Sequence, residues 1–382
     1  MCRILLIDTN ISSLPIYNYL VKNNEVYVVG GNYDDYLAKT AKNYINIDYS
    51  EIDQLKALIK SLDIEYIVPG CNDLSYQISA ELNSELQFFG LDTVEVTSIL
   101  NNKEKFRVFA KRIGIPVPNL ISETEIESVI PNIVKPVDSY SGRGVSIINE
   151  PDKRLIDVAI SKAKHYSRSD SFIIEEYVEG QLYSHSAFIS EGAILTDFIV
   201  AEFGTANPFV VDTSYLAYDF SIEILNKIRE WILLMIKELN LVDGLVHTQF
   251  IKNRDKVWFI EITRRCPGDL YSLLIEKSTG FKYSEAYTRP FLNQKPLKSE
   301  ISVEKQNVLR HTISLPNERV FSSLKYKFPV QIELYFPLTI TGTKIQASPF
   351  GRIGLLFLIS NSKSEFQKLI NHTLKRELYE IY

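Results

Sequence analysis

The chain has 382 residues, of which 45% are hydrophobic and 23% are charged, as in a globular protein of two or three domains. Its 42 basic and 47 acidic residues give a net charge of -5, which argues against general binding to nucleic acid. The three cysteines lie far apart, the first residues do not resemble a signal peptide, and no apolar run approaches about 18 residues. We therefore expect a cytoplasmic protein that makes no contact with a membrane.

The first hundred residues alternate between strand-like and helix-like segments. The predicted order is a strand at 3–8, a helix at 14–21, strands at 25–30 and 44–47, a helix at 52–62 and a strand at 64–69. This order predicts a small doubly wound parallel-sheet domain over residues 1–101. Residues 70–73 follow the last strand, where open α/β sheets place ligands, although Asn72 and Asp73 also fit a helix cap.

The pattern changes after Asn102. The predicted order is a helix at 103–113, two strands within 133–148, a mixed α/β segment to about residue 290, strands at 308–314, 330–335 and 354–359, and a helix at 364–378. Residues 293–298 come nearest to a linker. The chain as a whole is predicted to have a mixed α/β (α+β) fold.

The strongest chemical signal is a strand that ends in a lysine and leads into a loop rich in glycine and serine. Lys135 ends the strand, and the loop contains Ser139, Ser141, Gly142, Arg143 and Gly144. Glycine lets backbone N–H groups approach anionic oxygens, serine adds donors, and lysine adds a charge. The order matches neither a P-loop nor a Rossmann fingerprint, so phosphate binding and an ordinary hairpin both stay open.

A second signal is the segment 172–180, in which a short apolar strand ends in the paired carboxylates of Glu175 and Glu176. This segment fits an ordinary buried strand with polar ends. A strand that leaves its sheet can also offer free backbone groups to a flat purine ring.

A third signal is a predicted hairpin formed by residues 246–250 and 257–263. Alternation along the two strands sets Gln249 opposite Glu261, His247 opposite Thr263, and Ile251 opposite Phe259. A carboxylate within an apolar strand needs a cation, which a metal ion or an arginine such as the following Arg264 or Arg265 supplies.

In order and spacing the three signals resemble the ATP-grasp superfamily, in the branch of carbamoyl-phosphate-synthase-like proteins, biotin carboxylase and L-amino-acid ligases. The resemblance covers residues 1 to about 290. It implies a fold in which two α+β lobes clasp ATP behind the N-terminal domain. The implied divisions are a linker helix and small lobe at 102–182, a large lobe with the metal site at 183–295, and an α/β segment packed on that lobe at 296–382.

For the nucleotide, the resemblance assigns the phosphates to Lys103 and Lys135 and their cover to the loop Ser139–Gly144. It assigns adenine to the segment formed by Glu175, Glu176, Tyr177 and Val178, largely through backbone groups. The ribose glutamate of the family is absent, because Leu182 stands at its position. Nearby Glu179 is our candidate for that role.

For the metal and the chemistry, the resemblance makes Glu261 the magnesium-bridging glutamate and Arg265 the arginine that steadies an acyl phosphate. Two positions depart from the family pattern, since Gln249 replaces a second glutamate and Thr263 replaces an asparagine. Amide and hydroxyl oxygens are hard donors but neutralise no charge, so we keep both residues as candidate ligands.

The leading hypothesis is an ATP- and Mg²⁺-dependent carboxylate–amine ligase, with Lys135, Arg265 and Glu261 as its catalytic residues. Its partners are a small carboxylic acid and an amine, such as an amino acid or amino sugar. His247 and Arg310 are candidate substrate contacts, although a surface arginine is the alternative for Arg310. A bicarbonate-activating enzyme and a nucleotide-binding regulator with a decayed metal site are the other hypotheses, and a homodimer stays open.

Overall fold

The computed structural model describes residues 1–139, 142–297 and 306–382 and confirms a mixed α/β fold. In these ranges no helix has the length and apolar character needed to cross a membrane. Lys298 and residues 299–305 fall outside them, so only part of the predicted linker is described.

The N-terminal region forms a parallel sheet in the order β3-β2-β1-β4, which confirms the predicted strand–helix alternation. The central strand is fully buried from Ile4 to Ile7, as its continuous apolar run requires. The elements are β1 (Arg3–Ile7), α1 (Leu14–Leu20), β2 (Glu25–Val29), α2 (Tyr36–Thr40), β3 (Asn43–Ile45), α3 (Ile52–Ser61), β4 (Tyr66–Pro69), α4 (Asp73–Leu86) and α5 (Val94–Asn101).

The next region is a helix followed by a small antiparallel sheet in the order β6-β5-β7. The helix begins where the sequence predicts, because the Asn102 side chain accepts a hydrogen bond from the backbone N–H of Lys105. The elements are α6 (Lys103–Arg112), β5 (Asn132–Pro136), β6 (Ser146–Ile148), α7 (Lys153–Tyr166) and β7 (Phe172–Glu176).

The third region contributes the first five strands of a long sheet, β12-β11-β8-β9-β10. One face of this sheet packs against α6 and the long amphipathic helix α8 through a shared hydrophobic core. The elements are β8 (Gln181–Ser190), β9 (Ala193–Phe203), β10 (Thr213–Leu216), α8 (Ile222–Leu239), β11 (Gly244–Asn253), β12 (Lys256–Thr263), α9 (Tyr271–Thr279) and α10 (Tyr283–Thr288).

The C-terminal region extends the same sheet, because β13 pairs with β10 and continues to β18 and β16. This pairing places Arg310 opposite Ser214 within one sheet. The elements are β13 (Asn307–Ser314), β14 (Arg319–Val320), β15 (Leu324–Tyr326), β16 (Gln331–Pro337), β17 (Lys344–Ile345), β18 (Arg352–Ser360), α11 (Lys363–Leu374) and β19 (Tyr379–Ile381). The domain boundaries at 101, 182 and 295 stay a prediction.

The hairpin β11–β12 has the predicted register at its open end, where Gln249 faces Glu261 and His247 faces Thr263. The predicted pairing of Ile251 with Phe259 is wrong, and Ile251 faces Trp258 instead. The cause is a β-bulge after Gln249, which leaves Ile260 as an extra residue on β12. The Ile260 carbonyl accepts a hydrogen bond of 2.7 Å from Arg107.

Candidate functional site

Lys135 belongs to a buried cluster that it forms with Arg107 and Glu175. The Lys135 Nζ lies 2.5 Å from one carboxylate oxygen of Glu175, and Arg107 Nε lies 2.6 Å from the other. All three side chains are at most 7% exposed. We call these three residues the buried cluster, in which one carboxylate balances two cations.

Burial lowers the pKa of Lys135 to about 8, because water no longer stabilises its ammonium and because Arg107 repels it. Glu175 opposes this shift without cancelling it. Burial tends to raise the pKa of Glu175 in turn, but the two cations outweigh burial and hold it below its usual value. Glu175 is therefore ionised, and the cluster keeps one positive charge to offer to an anion while Lys135 is protonated.

The sequence did not predict the role of the Glu175 side chain, which pairs with Arg107 and Lys135 in the buried cluster. In the next residue, the backbone N–H of Glu176 donates to the Asn119 carbonyl at 3.0 Å, and its carboxylate accepts from the Asn119 amide. The N–H of Tyr177 donates to the Pro131 carbonyl at 3.1 Å. Because both of these N–H groups already donate within the protein, the predicted adenine contacts of this segment would come from the Glu176 carbonyl and from Val178, which follows the end of β7.

The loop after β5 is held at its start by Lys103, whose Nζ donates to the Ser139 carbonyl at 2.8 Å. Gly142 has φ of +64°, and a Cβ there would lie 2.5 Å from the Phe209 carbonyl oxygen. Gly144 has φ of +77°, and a Cβ there would lie 2.7 Å from the Pro136 ring. Both positions therefore require glycine. Ser141 lies outside the described residues.

Two further nucleotide candidates are Arg143, within this loop, and Glu179, beyond β7. The Arg143 guanidinium stands 5.5 Å from the centre of the Phe350 ring, so the loop contacts the C-terminal region. Glu179 is exposed beyond β7, and its carbonyl accepts a hydrogen bond from Asn253. The ribose role of Glu179 stays a prediction.

Lys103 also reaches the predicted metal ligand, because its Nζ lies 3.4 Å from Oε1 of Glu261. Beyond Glu261 along the chain, Arg265 forms a two-pronged ion pair with Asp73, at 2.8 Å and 3.3 Å. We call Asp73, Lys103, Glu261 and Arg265 the open cluster, since their side chains are between 14% and 34% exposed. Here two carboxylates balance two cations.

Asp73 is a residue whose partner the sequence did not predict. The predicted helix cap is confirmed for Asn72, whose side chain accepts from the N–H of Ser75. Asp73 instead contacts Arg265 and accepts a hydrogen bond from the Thr263 hydroxyl at 3.1 Å. Burial would raise the pKa of Asp73, but Arg265 and Lys103 outweigh it and lower the pKa. The sequence signal for a functional role of Asp73 was its position just after the carboxyl end of β4.

The two residues that depart from the family pattern each have a partner within the protein. The Thr263 hydroxyl donates to Asp73, as described above. The Gln249 amide nitrogen donates to Oε2 of Glu202 on β9 at 2.7 Å. Glu202 is only 4% exposed, and burial raises its pKa, with a smaller contribution from Glu261. Glu202 was not among the residues predicted from the sequence, where it is one of two acidic residues in the largely apolar strand β9.

The predicted substrate contacts both lie in the interior. His247 shares a hydrogen bond of 2.9 Å with the Ser186 hydroxyl, and burial with the nearby Arg265 holds the pKa of its imidazole well below the usual value. The surface alternative for Arg310 is wrong, because the residue is 3% exposed. Its guanidinium donates to the Ser214 hydroxyl and to the Asp269 carbonyl.

The residues at the open cluster fit a magnesium ion that arrives with a nucleotide. In the part of the chain that the structure describes, no group of three or more His, Cys, Asp or Glu side chains is arranged to hold a metal. Magnesium retains several waters and usually takes one or two protein carboxylates together with substrate phosphates. Glu261 supplies one such carboxylate, and Gln249, which faces Glu261 across the hairpin, can add a neutral amide oxygen, whereas the Thr263 hydroxyl is already bonded to Asp73.

Part of the chain also matches a known protein family. Residues 128–272 match the family described as ATP-grasp domain, a range that includes Lys135, Glu175, Gln249 and Glu261. The chain is 27% identical over 302 residues to a formate-dependent phosphoribosylglycinamide formyltransferase of Prochlorococcus marinus, which covers 72% of this chain and 71% of that protein.

Two further similarities agree with this match. The chain is 24% identical over 247 residues to a D-alanine–D-alanine ligase of Fusobacterium nucleatum, over 63% of this chain and 82% of that protein. The solved L-amino acid ligase from Bacillus licheniformis has a TM-score of 0.81 and 16% identity, over 100% and 98% of the two chains. These similarities confirm the predicted fold.

Proposed function

Because the chain contains an ATP-grasp domain at residues 128–272, we propose that it is an ATP-dependent carboxylate–amine ligase that forms a C–N bond. The observation that carries the proposal is the position of Lys103. Its ammonium contacts the Ser139 carbonyl in the loop after β5 and lies 3.4 Å from Glu261 on β12. One cation therefore joins the candidate phosphate loop to the candidate metal ligand.

In the proposed first step, an oxygen of the carboxylic acid attacks the γ-phosphorus of ATP. The bond between that phosphorus and the β,γ-bridging oxygen breaks, which gives an acyl phosphate and ADP. The residues would contribute position and charge: Lys135 and Lys103 would bind the phosphates, and the glycine loop would cover them. No nucleophilic side chain is required.

In the proposed second step, the amine nitrogen attacks the acyl carbon, the bond from that carbon to the phosphate oxygen breaks, and inorganic phosphate leaves. The amine gives up one proton, so the products are an amide, phosphate and a proton. Arg265 would steady the negative oxygen that forms on the acyl carbon. Asp73 fixes the plane of the guanidinium through both of its carboxylate oxygens.

Bound magnesium would neutralise part of the phosphate charge. Glu261 is the proposed carboxylate ligand, and the Gln249 oxygen is the proposed neutral one. The proposed substrates are a small carboxylic acid and a small amine such as an amino acid or an amino sugar. His247 and Arg310 stay candidate contacts for them. Arg310 is the stronger candidate for a carboxylate because its guanidinium carries a positive charge.

The test is ADP release with Mg-ATP across a panel of carboxylic acids, each with and without a panel of amines. We expect release that needs one acid and one amine together, with the amide detected by mass spectrometry. Glu261→Gln, assayed in parallel, reports any contaminating ATPase. Release that needs bicarbonate instead would favour the carboxylase alternative. Binding of Mg-ATP without release in any combination would favour a regulator.

A further inference from the structure

The loss of a family glutamate at Gln249 leaves the candidate metal site with one fewer negative charge. A buried carboxylate nevertheless lies beside it. Glu202 accepts the Gln249 amide N–H at 2.7 Å and also bonds the Ser184 hydroxyl. Both partners are neutral. Among the described residues, no lysine or arginine nitrogen lies within the 4.0 Å of an ion pair with Glu202.

A carboxylate that is 4% exposed and hydrogen-bonds only to neutral groups costs free energy unless cations stand nearby. One cation is present, because Arg310 lies across Ser214 from Glu202 and its charge lowers the pKa of Glu202, but burial outweighs it and the pKa stays raised. A second cation on the side of Gln249 would offset the remaining cost.

Gln249 lies between Ser184 on β8 and Glu261 on β12, and Glu202 reaches it from β9, two strands away. Glu202, Gln249 and Glu261 thus lie on one face of the sheet, and the hydrogen bond from Gln249 to Glu202 runs diagonally across β8 between Ser184 and Leu182.

The bond to Glu202 also fixes the direction of the Gln249 amide. A carboxylate only accepts hydrogen bonds, so the amide must turn its NH₂ group toward Glu202. Its carbonyl oxygen then lies on the opposite side of the amide, and the strand order places Glu261 on that side. A neutral amide oxygen and the Glu261 carboxylate therefore face the same space.

We propose that Glu202 is a positioning residue of the magnesium–nucleotide site, which orients the Gln249 oxygen toward the metal and supplies the negative charge that position 249 lacks. This inference rests on the proposed function, since it concerns the metal of the same site. Charge and ligand oxygen, which a single glutamate would combine at position 249, are here divided between two residues.

The test exchanges the two side chains. Glu202→Gln removes the charge and should weaken Mn²⁺ binding in the presence of ADP by about tenfold, measured from the signal of free Mn²⁺ in electron paramagnetic resonance. Gln249→Glu sets two carboxylates at hydrogen-bond distance and should lower the melting temperature through their repulsion. The double variant Glu202→Gln/Gln249→Glu restores one carboxylate and one amide, so Mn²⁺ affinity should return to within about threefold of wild type.

Asp219→Asn, which removes a negative charge from an exposed ion pair with Lys363, is the matched control and should leave Mn²⁺ affinity unchanged. Unchanged affinity in Glu202→Gln, or a double variant no better than the weaker single variant, would overturn the inference. So would a rise in KM for the amine alone, because Glu202 would then bind the amine substrate. If Glu202→Gln does not fold, the Mn²⁺ affinity of the double variant compared with that of wild type decides whether the inference holds.

Wild-type protein separates this inference from the proposed function. If wild type binds no Mn²⁺ with ADP, the proposed function fails. If wild type binds it and the exchanged pair behaves differently from expectation, only the role of Glu202 fails.

Discussion

The buried cluster and the open cluster contain similar side chains but differ in how far the protein neutralises them. In the buried cluster, Arg107 and Lys135 share the single carboxylate of Glu175, and none of the three side chains is more than 7% exposed. In the open cluster, charges balance and the side chains are 14–34% exposed. The comparison indicates that the first offers one positive charge to an anion while Lys135 is protonated, whereas the second has balanced charges and enough exposure to meet a cation.

Burial also decides what a mutation measures. Removing one member of a buried ionic group leaves the remaining charges without compensation, so the effect appears in folding. Removing a partly exposed side chain leaves its partners in contact with water, so the effect appears in the reaction. Variants of the two clusters and of the loop should therefore differ in whether they change stability or activity.

Glu175→Gln should destabilise the protein by about 3–5 kcal/mol, because it leaves two buried cations without a carboxylate. Denaturant unfolding followed by circular dichroism measures this change. Glu127→Gln, an exposed position in the same region, is the control and should change stability by no more than about 0.5 kcal/mol. Equal stability of the two variants would show that the buried cluster is not ionised.

Glu261→Gln should lower kcat by about 10²–10³-fold, corresponding to the loss of one preorganised charge contact of about 2.7–4 kcal/mol. Its melting temperature should change little, since the side chain is 34% exposed and its nearest cation, Lys103, is 3.4 Å away. Steady-state ADP release and a thermal melt give the two values. Asp255→Asn in the turn of the same hairpin is the control. Near-normal kcat in Glu261→Gln would exclude it as the metal ligand.

The activity should fall on the alkaline side because the pKa of Lys135 is lowered to about 8 by burial. As the pH rises through that value, the ammonium loses its proton and the positive charge that it offers to phosphate. We expect kcat/KM for ATP to fall about tenfold per pH unit above it, since this parameter reports the free enzyme. In kcat the decline should begin at higher pH, because bound phosphate favours the charged form. A kcat/KM that does not change with pH would show that a group other than Lys135 supplies the positive charge that binds phosphate.

Phe350→Ala should raise KM for ATP by about two- to fivefold and leave kcat unchanged. The Phe350 ring stands 5.5 Å from the Arg143 guanidinium, and a cation–π contact at an exposed site contributes about 0.5–1 kcal/mol. Initial rates at varied ATP measure this effect. Phe328→Ala is the control, since that ring is also exposed and stacks on His372 rather than on Arg143. A change in kcat instead would assign Phe350 to the chemical step.

Features carried by neighbouring residues could be predicted from the sequence. The helix that starts at Lys103 and the lysine–glycine loop after β5 follow from local capping and turn chemistry. The register of Gln249 against Glu261 follows from side-chain alternation on two strands joined by a short turn. The prediction failed at Ile251, because a bulge depends on what the extra carbonyl contacts, and that contact is Arg107.

The sequence by itself determined the fold class, the order of the motifs and the identity of the loop, lysine and glutamate candidates, since each depends on periodicity, on residues close along the chain or on the resemblance to a known family. Only the tertiary structure decided their partners. Arg265 and Asp73 are 192 residues apart, and Glu202 and Gln249 are 47 apart. Contacts at such separations depend on how the elements pack, and the low polarity of the interior then selects which charges can face each other.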